Sequence, residues 1–322
     1  MDIFITGSNG FIGSHLREYL QESYPYYNFF TPSRKELDLS DEKAVDKYIL
    51  SNKIDIIIHL ANRGGGRDTF DMKNVTEYNL RIFFNLAKHE KNVKKIISFG
   101  SGAEYAKHKP IVEIKEEDYL KEQPLDEYGF YKSITSKYIE KSDNIVQLRI
   151  FGCYGEYEDY RYKFISNAIV KNLLRLPIVI NKNVYFDYIY IFDLLKMIDW
   201  FVHNEAKEKI YNVSSGIKVD LITLANIVNE TGDFKSDIRV LNDGLNNEYT
   251  SSNNRLSKEL SDFKFTSHKD AISQMRKYFS YNIDKIDRDI VANDPYLNKI
   301  NDMWKKGDWD ASIKWDVWKR KF

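Results

Sequence analysis

The sequence has 322 residues, with 48 Lys plus Arg balancing 48 Asp plus Glu, and 43% of it is hydrophobic. Neutrality gives no electrostatic support for nucleic-acid or membrane-surface binding as the main task, and disorder is not expected of so apolar a chain. No apolar segment is long enough to span a bilayer, and the single cysteine, Cys153, excludes internal disulfides and zinc clusters and suits a reducing cytoplasm.

Asp2–Thr6 reads as a strand, with Ile3, Phe4 and Ile5 consecutive and no turn residue among them. Gly7, Gly10 and Gly13 follow at once, and Leu16, Tyr19 and Leu20 then recur at helical spacing. Strand, glycine loop and helix in that order make the first half of a dinucleotide-binding unit. Glycines let the backbone turn tightly toward a pyrophosphate, and the free amides at the helix start can hold it. Gly7, Asn9, Gly10, Phe11, Ile12 and Gly13 are therefore cofactor candidates. A plain glycine turn without a ligand is the competing reading.

Tyr27–Thr31 is the second expected strand and Asp41–Leu50 the next helix. Asp55–Leu60 (DIIIHL) is a continuous apolar run, as a parallel strand covered on both faces requires. A helix over Asn74–His89, a strand over Val93–Phe99, a helix over Glu127–Glu140 and a strand over Asn144–Ile150 continue the alternation. After Phe151 the pattern loosens: a helix over Phe164–Leu176, a strand near Ile178–Ile180, the aromatic run VYFDYIYIFD, a strand over Lys209–Val213 and a helix over Leu221–Glu230. The expected fold is α/β with a doubly wound parallel sheet, residues 1–152 forming the dinucleotide-binding domain and 185–213 returning to that domain. A smaller mixed α/β lobe takes 153–184 and 214–322. Trp304, Trp309, Trp315 and Trp318 near the end are expected to cover a core or an interface.

The second strand runs into TPSRKELDLSD. Where a dinucleotide's adenosine ribose meets such a strand, an acid binds a free 2′-hydroxyl and an arginine suits a 2′-phosphate. Ser33 and Arg34 stand there, which tilts the cofactor toward NADPH, with NAD as the alternative. In EYGFYKSITSKYIE, Tyr128 and Lys132 share one helical face. A free tyrosine has a pKa near about 10, and an adjacent ammonium favours its phenolate, giving a usable proton exchanger. The same step recurs at Tyr105–Lys109 and Tyr281–Lys285, but only Tyr128 and Lys132 open a helix between two core strands. Upstream, ISFGSGAEY ends a strand at Gly100 and Ser101, where the ends of parallel strands bind ligands.

With the three glycines, Ser101, Tyr128 and Lys132 in this order, the chain resembles the extended short-chain dehydrogenase/reductase family over most of residues 1–285. Around SRKELDLSD and YNLRIFFNLA its spacing is nearest to nucleotide-sugar reductases of the GDP-fucose synthase type. The resemblance implies a Rossmann sheet, with Ser101 and Tyr128 contacting the reacting sugar oxygen and Lys132 also holding the nicotinamide ribose. It places Asp38 and Leu39 near the adenine, Leu60, Ala61 and Asn62 along the dinucleotide, Asn79 behind the site and Phe151 at the nicotinamide. Arg63, Gly102, Ala103 and Gly152 fall on the substrate side. It also implies a homodimer built on the Tyr128 helix.

Three departures narrow the expected chemistry. Ala103 and Lys163 stand where relatives that epimerise carry a cysteine and a histidine. Gly102 and Ala103 replace the Asp-Glu pair of 4,6-dehydratases. Phe186 replaces an arginine that grips the substrate diphosphate, leaving Lys163 or Arg255 for that task. The expectation is reduction of a keto group on a nucleotide-linked sugar without epimerisation. A 4-epimerase or C4 dehydrogenase using NAD, or a non-catalytic dinucleotide sensor, are the alternatives.

Overall fold

The computed structural model describes residues 1–299 except 67, 70, 71 and 296; the four tryptophans of the tail lie outside the described residues. The first half runs β1 (Asp2–Thr6), α1 (Phe11–Ser23), β2 (Asn28–Phe30), α2 (Glu42–Ser51), β3 (Ile56–His59), α3 (Val75–Ala87), β4 (Lys95–Ser101), β5 (Ile111–Ile114), α4 (Glu127–Ile139) and β6 (Ile145–Ile150). The second half runs β7 (Gly152–Tyr154), α5 (Phe164–Leu173), β8 (Ile178–Asn183), β9 (Tyr185–Tyr190), α6 (Ile191–His203), β10 (Ile210–Val213), β11 (Lys218–Asp220), α7 (Leu221–Glu230), β12 (Ile238–Leu245), β13 (Tyr249–Ser251), α8 (Asn254–Glu259), α9 (His268–Tyr281) and α10 (Arg288–Ala292).

Six strands form one parallel sheet in the order β10-β6-β4-β3-β1-β2. Its direction of winding reverses at β1, between β2 and β3, and the carboxyl ends there open the crevice where such sheets take ligands. Alternation along each strand divides the core in two. Ile3, Ile5, Ile56 and Ile58 face one apolar layer with α1 and α6. Phe4 and Ile57 face the other, with Val45, Ile49, Phe83 and Leu86. Burial on both faces is why DIIIHL is an unbroken apolar run. Here the expected doubly wound architecture is what the chain adopts.

Beyond this sheet, β11, β9, β13 and β5 form a mixed sheet, with β7 paired to β9, and β12 and β8 pair in parallel. Two sequence expectations needed correction. The helix expected to reach Leu176 stops at Leu173, because Arg175 turns left-handed at φ 57° ahead of Pro177, which disfavours helix in the residue before it. The aromatic run VYFDYIYIFD conceals a boundary, since β9 ends at Tyr190 and α6 starts at Ile191. Tyr190 offers no side-chain cap, so the usual start signal of Ser, Thr, Asp or Asn is missing.

Candidate active site

The glycine loop is built as expected. Gly7 holds φ +70°, a left-handed conformation that glycine alone adopts without penalty. The Gly10 amide donates to the Gly7 carbonyl at 3.0 Å, and the first intrahelical bond of α1 runs from Ser14 to Gly10 at 2.8 Å. The Phe11, Ile12 and Gly13 amides thus precede the helix ladder and have no acceptor within it. A Cβ on Gly13 would lie 2.1 Å from the Gly7 carbonyl oxygen, and one on Gly7 would lie 2.7 Å from the Ala61 amide. Gly7 and Gly13 are packed to backbone contact, Gly13 on the loop itself and Gly7 on the segment after β3, so neither position has room for a side chain.

After β2, the Ser33 amide donates to Glu36 Oε2 at 2.7 Å. Asp38 turns inward on Ser40, its Oδ1 accepting from the amide at 2.9 Å and the hydroxyl at 2.7 Å. These bonds hold its carboxyl below the usual range. The exposed Arg34 guanidinium lies 5.4 Å from the Tyr78 ring centre, and Arg63 lies 5.8 Å from the same centre. Arg63, expected on the substrate side, thus shares the Tyr78 ring with Arg34. Asn79 fixes that placement, accepting from the Arg63 amide and donating to its carbonyl, both at 2.8 Å. The Ala61 amide donates to Thr6 Oγ1 at 3.1 Å, the Asn62 side chain to the Gly64 carbonyl at 2.8 Å, and Asn85 to the Leu39 carbonyl at 2.9 Å.

Past the strand ends lies a cleft of about 410 Å³. Ser101, Ala103, Tyr128, Phe151, Gly152 and Lys163 all line it, together with Phe186 and Tyr249. Gly102 underlies Tyr249, since a Cβ there would stand 2.4 Å from the Tyr249 hydroxyl. Arg255 is not part of the wall. It pairs with Glu117 at 3.4 Å, Glu116 at 3.7 Å and Glu208 at 3.9 Å, and those three carboxylates occupy the charge expected to hold a diphosphate.

Tyr128 stands on the first turn of α4, whose start is capped by Asp126 accepting from the Gly129 amide at 2.9 Å. Lys132, one turn on, is buried and donates to the Phe99 carbonyl. Its Nζ is 5.9 Å from the centre of the Tyr128 ring. Burial drives the Lys132 pKa down to about 8 and the Tyr128 pKa up to about 12, the latter opposed by a hydrogen bond from Ser101. The lysine was expected to acidify the tyrosine. Instead desolvation dominates: Lys132 is buried, with its ammonium turned toward a carbonyl, while Tyr128 is half-buried at the cleft wall.

Ser101 is positioned by its own backbone turn. Its Oγ accepts from the Ala103 amide at 3.2 Å, and its amide donates to Glu104 Oε1 at 2.8 Å. Glu104 is fully buried; its Oε2 accepts from Ser136 of α4 and from Arg149 Nε of β6, the latter at 2.6 Å. One carboxylate thus ties the serine strand to the tyrosine helix. The other Tyr-x-x-x-Lys steps are sorted by burial: the Tyr105 hydroxyl donates to Asn212 Oδ1 at 2.6 Å within the core, and Tyr281 is 88% exposed.

Sequence reasoning missed Glu104, Gly65 and Tyr249. A Cβ on Gly65 would meet the Tyr128 ring at 2.2 Å, and the run RGGG was its signal. Tyr249 gave no local signal, because β13 reaches the site through pairing with β9 and β5.

Fold and site together define an NAD(P)-dependent oxidoreductase of the extended short-chain dehydrogenase/reductase type. The chain belongs to the NAD dependent epimerase/dehydratase family, whose sequence model matches residues 3–214. GDP-L-colitose synthase of Yersinia pseudotuberculosis is 32% identical over 112 residues, covering 33% of this chain and 35% of that one. A Campylobacter jejuni GDP-mannoheptose C4 reductase with NADP bound superposes at a TM-score of 0.74, 21% identical, covering 87% of this chain and 98% of that one. A Thermotoga maritima UDP-glucose 4-epimerase with UDP-glucose superposes equally, at 0.74 and 18% identity, over 88% of this chain and 100% of that one. At such identities these structures share the fold alone. Among the described residues no helix is long and apolar enough to cross a membrane.

Proposed function

We propose that the protein reduces the C4 keto group of a nucleotide-linked deoxy- or heptose-type sugar with NADPH, leaving the neighbouring carbons unepimerised. One observation carries this reading: Tyr128 and Ser101 line one cleft together with residue 103, an alanine, which has no proton-exchanging side chain. A GDP-L-colitose synthase among the sequence relatives supports the substrate class.

When bound, the nicotinamide supplies hydride. Tyr128 donates its proton to the oxygen of the reacting carbonyl, and Ser101 hydrogen-bonds the same oxygen. Lys132, one helical turn beyond Tyr128 and held on the Phe99 carbonyl, would hold the nicotinamide ribose. Phe11, Ile12 and Gly13 would hold the pyrophosphate through their amides. Arg34 and Arg63, gathered on one Tyr78 ring, would clamp the 2′-phosphate. With Phe186 apolar, Arg255 neutralised, Lys107 paired with Asp126 and Arg161 with Asp159, Lys163 and Lys182 of the cleft wall would meet the substrate diphosphate.

Three outcomes check this reading. Gly13→Ala should weaken NADPH binding about tenfold or more, because the new methyl group must displace the Gly7 carbonyl; titration calorimetry measures it. Arg34→Ala should weaken NADPH and leave NADH nearly unchanged, since only NADPH carries the phosphate a guanidinium can clamp. Equal losses for both cofactors would contradict the NADPH assignment. Turnover in heavy water tests the stereochemical claim. Ring-proton exchange needs a base on one face and an acid on the other, so the carbons flanking the new alcohol should stay free of deuterium. Deuterium there, above an enzyme-free control, would mark an epimerase.

A further inference from the structure

The chain returns to the cleft after its last named helix. α10 lies on α5, with Val291 fully buried and Arg288 donating to the Leu174 carbonyl at 2.8 Å. Past α10 the backbone turns sharply, Asp294 taking a left-handed φ of 45°, a region that aspartate tolerates better than most residues. Asp294 and Leu297 then line the cleft. The Asn298 amide closes one helical turn on the Asp294 carbonyl at 3.1 Å, and its side chain donates to the Asn293 carbonyl at 2.6 Å. Lys299 donates to the Asp68 carbonyl. Asp68 follows the glycine run whose Gly65 abuts the Tyr128 ring, and Thr69 holds that turn, its Oγ1 accepting from the Gly66 amide at 3.0 Å. One short stretch thus joins two walls of the cleft, α5 of the lobe and the loop after β3.

Its two attachments differ in strength. Lys171 on α5 is buried, and among the described residues Asp294 is the carboxylate paired with it. Losing that partner would strand an enclosed ammonium, so this end holds. The Lys299 contact is exposed and ends on a neutral carbonyl, so water replaces it at little cost. We infer that Asp294, Leu297 and Lys299 form a strap across the substrate cleft, hinged at Lys171 and released at Asp68. Shut, it sets Leu297 in the cleft wall and braces the loop that carries Gly65 against Tyr128. Open, it clears a path between α5 and that loop. A nucleotide-linked sugar is bulky and carries two charges on its diphosphate, so its entry and the product's release pass through the open form. The inference rests on the cleft being the substrate site and not on the reaction that follows there.

Cys153 reports the state of the strap, because it is the chain's single cysteine and lines the same cleft. Its alkylation by N-ethylmaleimide, an uncharged reagent, is followed by mass spectrometry in the full chain without cofactor or substrate. Lys299→Ala should speed labelling about threefold with the thermal midpoint unchanged, since one exposed contact is lost. Asp294→Asn should speed it about tenfold or more, because the hinge itself fails. That variant leaves Lys171 unpaired at a cost to folding, so Lys171→Met combined with Asp294→Asn, which strands no charge, supplies the same measurement. Low urea separates strap opening from global unfolding, for a local movement exposes little surface and has a shallow urea dependence. Unchanged labelling in either Lys299→Ala or the double variant, or labelling as urea-dependent as global unfolding, would overturn the inference. Deuterium incorporation or absent reduction would instead sink the reductase reading, with these labelling rates unaffected.

Discussion

Tyr128→Phe lowers turnover by about a hundredfold or more, the scale of a lost general acid, while NADPH affinity stays close to that of the unaltered protein. The substitution removes one oxygen and keeps the ring that packs against Gly65 and Tyr131, so the fold has no reason to change. Loss of turnover with an intact thermal midpoint and intact cofactor titration therefore isolates the proton. Tyr105→Phe is the control, because the hydroxyl it deletes serves Asn212 and Arg149 inside the core. It should cost stability before it costs chemistry. If Tyr105→Phe abolished turnover in a folded protein and Tyr128→Phe did not, the assignment would be wrong.

Arg149→Met destabilises the protein by about 3–5 kcal/mol, the cost of stranding one charge of a buried pair. Both Arg149 and Glu104 are fully enclosed and meet at 2.6 Å, and Arg149 also donates to Tyr105 at 2.7 Å and the Glu116 carbonyl at 2.9 Å. Replacing the pair together with apolar residues should cost far less than replacing the arginine alone, because no bare carboxylate is left. Denaturant melts of the two single variants and the double variant measure the coupling. A double variant as unstable as the sum of the singles would show that the pair is not the unit.

How much of this was legible depended on how local each feature is. The glycine loop, α4 with Tyr128 and Lys132, and the buried strand at Ile56–His59 are written in consecutive residues, so pattern and spacing located them. Glu104 carries no signal of its own in the sequence. Its meaning comes from Ser136 and Arg149, which are 32 and 45 residues away. Arg255 was plausible by charge and Arg63 by the resemblance. Charge did not reveal that Glu116, Glu117 and Glu208 surround the first, or that Asn79 binds the backbone of the second. The short strands β5, β11 and β13 depend on pairing between distant segments and carry little periodicity of their own.

The sixth strand of the parallel sheet, β10, sits beside β6, with Val213 level with Ile150, and some sixty residues of chain separate them. Asn212 on that strand receives the Tyr105 hydroxyl, and its amide donates to Glu116 at 2.9 Å. During synthesis the chain therefore presents its glycine loop, serine, tyrosine and lysine long before the edge that supports them exists. A nascent chain ending near residue 152 carries the whole recognisable signature yet has an open β6 edge and a core tyrosine without its acceptor. Completion of the nucleotide-binding half waits for residues 210–213 to emerge from the ribosome, so premature termination before that point yields a sticky fragment, not a smaller enzyme.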